Sequence, residues 1–509
     1  MPDAATQDAP NRGILTLCVM LATIMQALDT TIANVALPYM QGNLSATQDQ
    51  INWVLTSYIV AAAIMTPVTG FLAARLGRKR LFLIAVVGFT LASVLCGIAQ
   101  SLPEMVLFRL AQGVFGAPLV PMSQSVLLDS HPQEKHGSAM AMWGVGVMVG
   151  PILGPTLGGW LTEYYNWRWV FYINVPIGIV TFLGLSAFLS ETKRETISFD
   201  WLGFTTLSIA VGALQLFLDR GEQLDWFGSR EIIVELTISL VAFYMFLVHT
   251  FTSERPFIDP RIFKDRNFIV GMIFIFIVGI ILLATLSLLT PYLQNLMNYP
   301  VLTAGTVLAP RGIGTMVAMM IVGRMINRVD PRRLLLFGFA LTVAVLWEMT
   351  GFTPDVSRFT LIRTGIEQGL GLGFLFVPLS TITFATLTPE FRTQGTALFS
   401  LMRNLGSSIG ISVVIFLLTR NTQIVHSQLI EHVTPFNEAL RTGNVHRIWN
   451  VATTLGRAAL DTEIMRQAAI IAYIDDYKFM MLIALAAMPI VFLLRKGGAP
   501  GDAGHAVLE

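Results

Sequence analysis

Asp29, Arg109, Gln112, Arg311, Arg363, Glu367 and Arg403 each stand inside an otherwise apolar run of this chain. A charge near the centre of a bilayer costs roughly 2.5–3.5 kcal/mol on insertion scales, so each ionisable member of that set calls for a partner or a use. Burial disfavours the charge of a carboxylate, whereas a neighbouring guanidinium favours it. An acid that alternates between those two settings binds a proton on one side of a membrane and releases it on the other, which makes Asp29 with Arg109 the first candidate pair for proton coupling. Glu367, four residues from Arg363 and on the same helix face, is a second candidate for proton coupling or cation binding. Arg403, in "SLMRNLGSSIG", reads as a structural or gating cation.

The elements that position these groups follow from composition. Of 509 residues, 54% are hydrophobic and only 13% charged, about half the charged fraction of a soluble domain, which places the chain in a membrane. With roughly 20 apolar residues needed per crossing, the sequence predicts an all-α membrane protein of fourteen spans. An even number puts both termini on one side. The clusters "RLGRKR", "RIFKDR" and "VDPRR" fall on that side and make it cytoplasmic. The net charge of +1, with basic residues scattered in short clusters, gives no reason to expect nucleic acid as a partner. The polar N-terminus lacks a basic n-region, so the first apolar run is expected to remain as span one. Cys18 and Cys96 lie in apolar runs and read as packing residues.

"GFLAARLGRKR" from Gly70 and "GRMINRVDPRR" from Gly323 share a Gly, a central Arg and a basic pair at equal spacing. This repeat predicts two six-helix halves related as parallel repeats around a central site. The expected division is a first half over 1–195, two extra helices with flanking loops over 196–255, and a second half over 256–509 that includes an extended outer loop at 420–477. "GVGVMVGPILGPTLGG", from Gly144 to Gly159, sets Gly146, Gly150, Gly154 and Gly158 four residues apart, a ridge free of side chains on which another backbone can pack closely. Pro151 and Pro155 remove two helix donors there. Together they predict a kinked helix at the seam between two moving halves.

That stretch resembles the antiporter motif of the major facilitator superfamily, "GFLAARLGRKR" its loop between helices two and three, and "RLAQGVFG" from Arg109 its helix-four motif. "LDTTIANVALP", "NWRWVFYINVPIG", "LDRGEQLDWF" and "HVTPFNEA" are similar to signatures of the fourteen-helix drug:proton antiporters of the EmrB/QacA type. The resemblance covers nearly the whole chain and supports Asp29 and Arg109 as motif positions. It implies gating roles for Gly70, Arg75, Gly77 and Arg78. One departure stands out: Ala74, and Asn327 in the second copy, occupy a loop position that is usually acidic.

Helix placement points to a largely apolar substrate cavity at Met25, Gln26, Asn34, Gln112, Phe115, Tyr292 and Gln294, suited to bulky amphipathic compounds. The run "IWNVATTLGRAALDTEIMRQAAIIAYI" predicts an amphipathic helix in the last outer segment. Its apolar face is expected to fold back onto the transporter or to lie on the membrane surface. The resemblance implies a third outcome, in which this segment docks a periplasmic adaptor protein and, through it, an outer-membrane channel. The function implied is proton-coupled efflux of amphipathic toxic compounds by alternating access in a bacterial inner membrane, with the proton gradient as energy source and no cofactor. Export of one endogenous lipid, fatty acid or metabolite fits the same fold, as does a transporter-like sensor or scaffold that binds without turnover. No ATP is implied, because no G-x-x-x-x-G-K-[ST] loop occurs, and an enzyme is not expected: His131, Glu134 and His136 in "DSHPQEKHG" read as a solvated turn, not a metal site.

Overall fold

The computed structural model describes residues 12–192, 199–326, 328–434, 440, 449–450 and 452–495; Asn327 lies outside them. Among the described residues the chain is helical without strands. Twelve helices among the described residues are long and apolar enough to cross a membrane, thirteen when the bent pair Trp53–Met65 and Val68–Leu76 is counted as one span. Pro331–Met349 is the fourteenth, with Arg332, Arg333 and Glu348 near its ends.

In chain order, spans one to four are Arg12–Asn43, the bent pair, Arg78–Ile98, and Leu102–Gly116 continued by Leu119–Ser130. Spans five to eight are His136–Tyr164, Trp169–Tyr172 continued by Asn174–Phe188, Trp201–Arg220 and Arg230–Thr252. Spans nine to fourteen are Arg266–Pro291, Val301–Met325, Pro331–Met349, Arg358–Ala385, Arg392–Glu431 and Thr454–Ala487. Helix starts are marked by Ser101, Asp200, Asp265, Ser357 and Thr453, each accepting from the backbone N–H three residues on. Prolines mark the breaks. Span two bends by 58° beside Pro67, span four is interrupted at Pro118, and span nine passes into a π turn, Tyr292–Leu296, after Pro291.

Helix packing repeats with a displacement of eight spans. Pairs one with five, two with four, three with four, three with six and one with six recur as nine with thirteen, ten with twelve, eleven with twelve, eleven with fourteen and nine with fourteen. The molecule is thus two six-helix halves plus two extra helices. Span seven touches both halves: Thr56 donates to Asp219, Ser408 to Gln215 at 3.1 Å, and Ser412 to the Leu218 carbonyl at 2.7 Å.

The glycine ridge of span five packs on span one, inside the first half, not on the other half. A Cβ at Gly150 would lie 2.5 Å from the backbone carbon of Ala27, and one at Gly158 2.9 Å from Ile32. A Cβ at Gly154 would strike Thr31, and one at Gly146 would touch Met20. The face toward the second half is a different one: Gly137 meets Ile326, which caps span ten, Gly144 meets Met319 of span ten, and Gly312 of span ten meets Ile152. The helix runs unbroken through Pro151 and Pro155.

The segment expected as an outer loop over 420–477 is helical at both ends. Span thirteen continues to Glu431, span fourteen begins at Thr454, and His426 Nε2 meets Asp461 Oδ1 at 2.9 Å between them. The expected amphipathic helix is therefore the first part of span fourteen; much of the intervening stretch lies outside the described residues.

Candidate functional site

Asp29 and Arg109 meet inside the first half, where neither is reached by solvent. Arg109 Nη1 donates to Asp29 Oδ2 at 2.7 Å and to Gln112 Oε1 at 2.6 Å, and its Nε donates to the Val54 carbonyl at 3.0 Å. Gln112 and Asn174 both donate to Asp29 Oδ1, at 2.8 and 2.9 Å, and both also donate to Ser93. The guanidinium lies 4.4 Å from the ring centre of Tyr58, which adds a cation–π contact. Spans one, two, three, four and six thus converge on one carboxylate. A buried ion pair persists only when its remaining valences are satisfied in this way.

Sequence reasoning named Asp29, Arg109 and Gln112 but missed Ser93, Asn174 and Tyr58. Asn174 stands in the quoted motif "NWRWVFYINVPIG" and was the available signal. Gln112, expected in the substrate cavity, belongs to this network.

The cavity lies between the halves and has a volume of about 400 Å³. Asn34 and Gln294 line it, as expected, together with Thr31 and Val35 of span one, Met148 and Ile152 of span five, and residues of spans nine, ten and twelve. The other expected lining residues sit elsewhere. Met25 is fully buried in the core of the first half, Gln26 donates to the Tyr58 hydroxyl at 3.2 Å, and Phe115 lies against Gly88 of span three. Tyr292 is buried among Phe352 and Tyr473 in the second half. Helix placement fixes the depth of a residue but not the face it presents. Arg311 is part of the lining. It is 7% exposed, Nη2 donates to the Leu282 carbonyl at 2.9 Å, and Nη1 has no hydrogen-bond partner among the described residues.

On the side of the termini the halves are held together through Asp129, at the end of span four. It pairs with Arg78 of span three and with Arg392 of span thirteen, the latter at 2.7 Å. Ser125 and Thr393 are 2.9 Å apart, Thr396 donates to the Pro121 carbonyl at 3.1 Å, and Gly70 is close against Gln394. Gly77 has a φ of 86°, the left-handed region that disfavours side chains. Arg75 is exposed and stacks on Phe71, outside this cluster. Asp129 supplies a carboxylate in a region where Ala74 does not.

Glu367 pairs with Arg363 at 3.3 Å, and Arg363 also pairs with Glu348; all three side chains are partly exposed. Arg403 lies on span thirteen, where its carbonyl crosses Gly279 of span nine. Asp476 was not anticipated. It is fully buried, with no hydrogen-bond partner for either oxygen among the described residues, and it falls within the stretch expected as an outer loop.

This architecture is that of a multi-pass membrane transporter. Residues 19–411 match the family model of the Major Facilitator Superfamily, and the chain belongs to that superfamily. Among curated relatives, the chain is similar to multidrug export protein EmrB of Escherichia coli K12, 40% identical over 83% of each chain. It is also similar to fatty acid resistance protein FarB of Neisseria gonorrhoeae, 37% identical over 96% of this chain and 97% of the relative. The human organic anion transporter MFSD10 has the same fold, with a TM-score of 0.59 at 14% identity over 93% of this chain and all of that one.

Proposed function

We propose that the chain is a proton-coupled exporter of amphipathic compounds in a bacterial inner membrane, working by alternating access with its termini in the cytoplasm. One observation carries this reading: span one bears Asp29 on one face and the cavity residues Thr31, Asn34 and Val35 on another. A compound that shifts span one from the cavity side changes the distance between Asp29 and Arg109. Withdrawal of the guanidinium lets the acid take a proton; its return expels that proton. The similarity to EmrB supports efflux of several compounds, with Asp129, Arg78 and Arg392 closing the cytoplasmic side. The paired extensions of spans thirteen and fourteen are the surface offered to a periplasmic adaptor. Export of a fatty acid or related lipid is the second reading, favoured by the similarity to FarB over nearly the whole chain.

The test is proton release from purified protein in weakly buffered detergent on adding amphipathic compounds, compared with Asp29→Asn. Release that vanishes in the variant supports the reading. Release of equal size in both removes Asp29 from the coupling step.

A further inference from the structure

The cavity is lined by aliphatic side chains such as Leu282, Leu286 and Leu308, by neutral polar groups, and by one charged residue among the described lining, Arg311. A guanidinium carries five donors in a planar fork. Here one edge is engaged by the Leu282 carbonyl, while Nη1 is buried without a partner among the described residues. Burial of a charge without a counter-charge is expensive, and leaving a donor of a charged group unmade adds to that cost. The neighbouring acid cannot correct this. Glu367 is already held by Arg363, and span twelve presents Gly365 and Gly369 to Arg311, so that a Cβ at Gly369 would collide with the Arg311 carbonyl. The glycine face brings the helix backbone against Arg311 without supplying a carboxylate.

We infer that Arg311 is the anion-recognition group of this cavity, and that the compounds bound there are amphipathic anions with an apolar body and a carboxylate or similar acidic head. The inference rests on the proposed function for its transport consequence, though not for binding itself. A planar two-oxygen head meets the free edge of the guanidinium with charge-assisted bonds, and the aliphatic walls take the body. A cation of the same shape finds no carboxylate in the lining and meets the field of Arg311. Asn34 and Thr31, across the cavity on span one, offer neutral hydrogen bonds, so one bound anion touches both halves.

The experiment uses the full chain in liposomes with decanoate and decyltrimethylammonium as matched probes at pH 8, where both are charged. Equilibrium binding is measured for the native chain, Arg311→Gln and Arg311→Lys, each checked for monodispersity and thermal unfolding. The native chain is expected to bind decanoate at least tenfold tighter than the cation. Arg311→Gln is expected to lose at least tenfold in decanoate affinity, with Arg311→Lys in between, because Lys keeps the charge but not the fork. Native preference for decyltrimethylammonium overturns the inference; so does decanoate affinity in a folded variant within twofold of native. If Arg311→Gln fails to fold, the native preference and Arg311→Lys decide. Uptake driven by a pH gradient is read separately: decanoate binding without gradient-driven movement of either probe sinks the export reading and leaves the anion site standing, whereas movement of the cation alone does the reverse.

Discussion

Asp29 and Arg109 touch at 2.7 Å with no solvent on either, and the remaining oxygen of Asp29 is covered by amide donors from Gln112 and Asn174. Breaking such a pair from one side leaves the other charge uncompensated, at a cost of about 3–5 kcal/mol. Arg109→Leu is therefore expected to lower thermal stability in detergent more than Arg109→Leu combined with Asp29→Asn. Both variants are expected to lose proton-driven export. Equal stability of the single and double variants would show that the pair does not hold the helices together.

Asn174→Ala removes one donor to Asp29 without removing a charge. A net loss of about 1–2 kcal/mol in stability is expected, together with a displaced pH profile of export. A pH profile identical to native would limit Asn174 to packing.

The glycine seam supplies its own control. Gly150→Ala sets a methyl against the backbone of Ala27 and is expected to cost about 1–3 kcal/mol. Gly159, in the same helix, has nothing within 4 Å of an added Cβ, so Gly159→Ala is expected to be neutral or to gain up to about 1 kcal/mol. Thermal unfolding of the two proteins side by side checks this. Similar losses at both sites would mean that helix flexibility, not contact with span one, sets the requirement for glycine.

Asp129→Asn weakens the pairs with Arg78 and Arg392, each worth about 0.5–1 kcal/mol at partial exposure. A loss of about 1–2 kcal/mol changes a two-state ratio by roughly five- to thirtyfold, so the side of the termini is expected to open more often. Spin-label distances between spans four and thirteen report it. A distance distribution unchanged from native would remove Asp129 from gating.

Glu367→Gln is expected to retain most export, because Arg363 keeps Glu348 as a partner and all three groups are partly exposed. Loss of coupling in a folded Glu367→Gln protein would return Glu367 to the proton path.

The spans were legible as apolar runs of about 20 residues, and Asp29 and Arg109 because a charge in such a run is costly and therefore conspicuous. Ser93 and Asn174 were not, since neutral polar residues cost little in a span and acquire meaning only when spans three and six close around Asp29. The four-residue glycine spacing announced a close helix contact, but spacing alone does not say which helix lies opposite, and the partner is span one. The outer ends of spans thirteen and fourteen read as loop because His426, Arg457, Asp461 and Glu463 give them the hydropathy of a solvated segment. That same reading hid Asp476, which sits further down the fourteenth helix.

Those two helices reach well beyond any bilayer. Arg392–Glu431 is 40 residues, about 60 Å of helix against a hydrocarbon core of about 30 Å, and the His426–Asp461 contact braces its outer end against the fourteenth. In an alternating-access cycle the pair would act as a lever arm rooted in the second half. A tilt of about 10° in the membrane becomes roughly 5 Å of sweep at the tip, so a protein resting there would feel each cycle as a mechanical stroke.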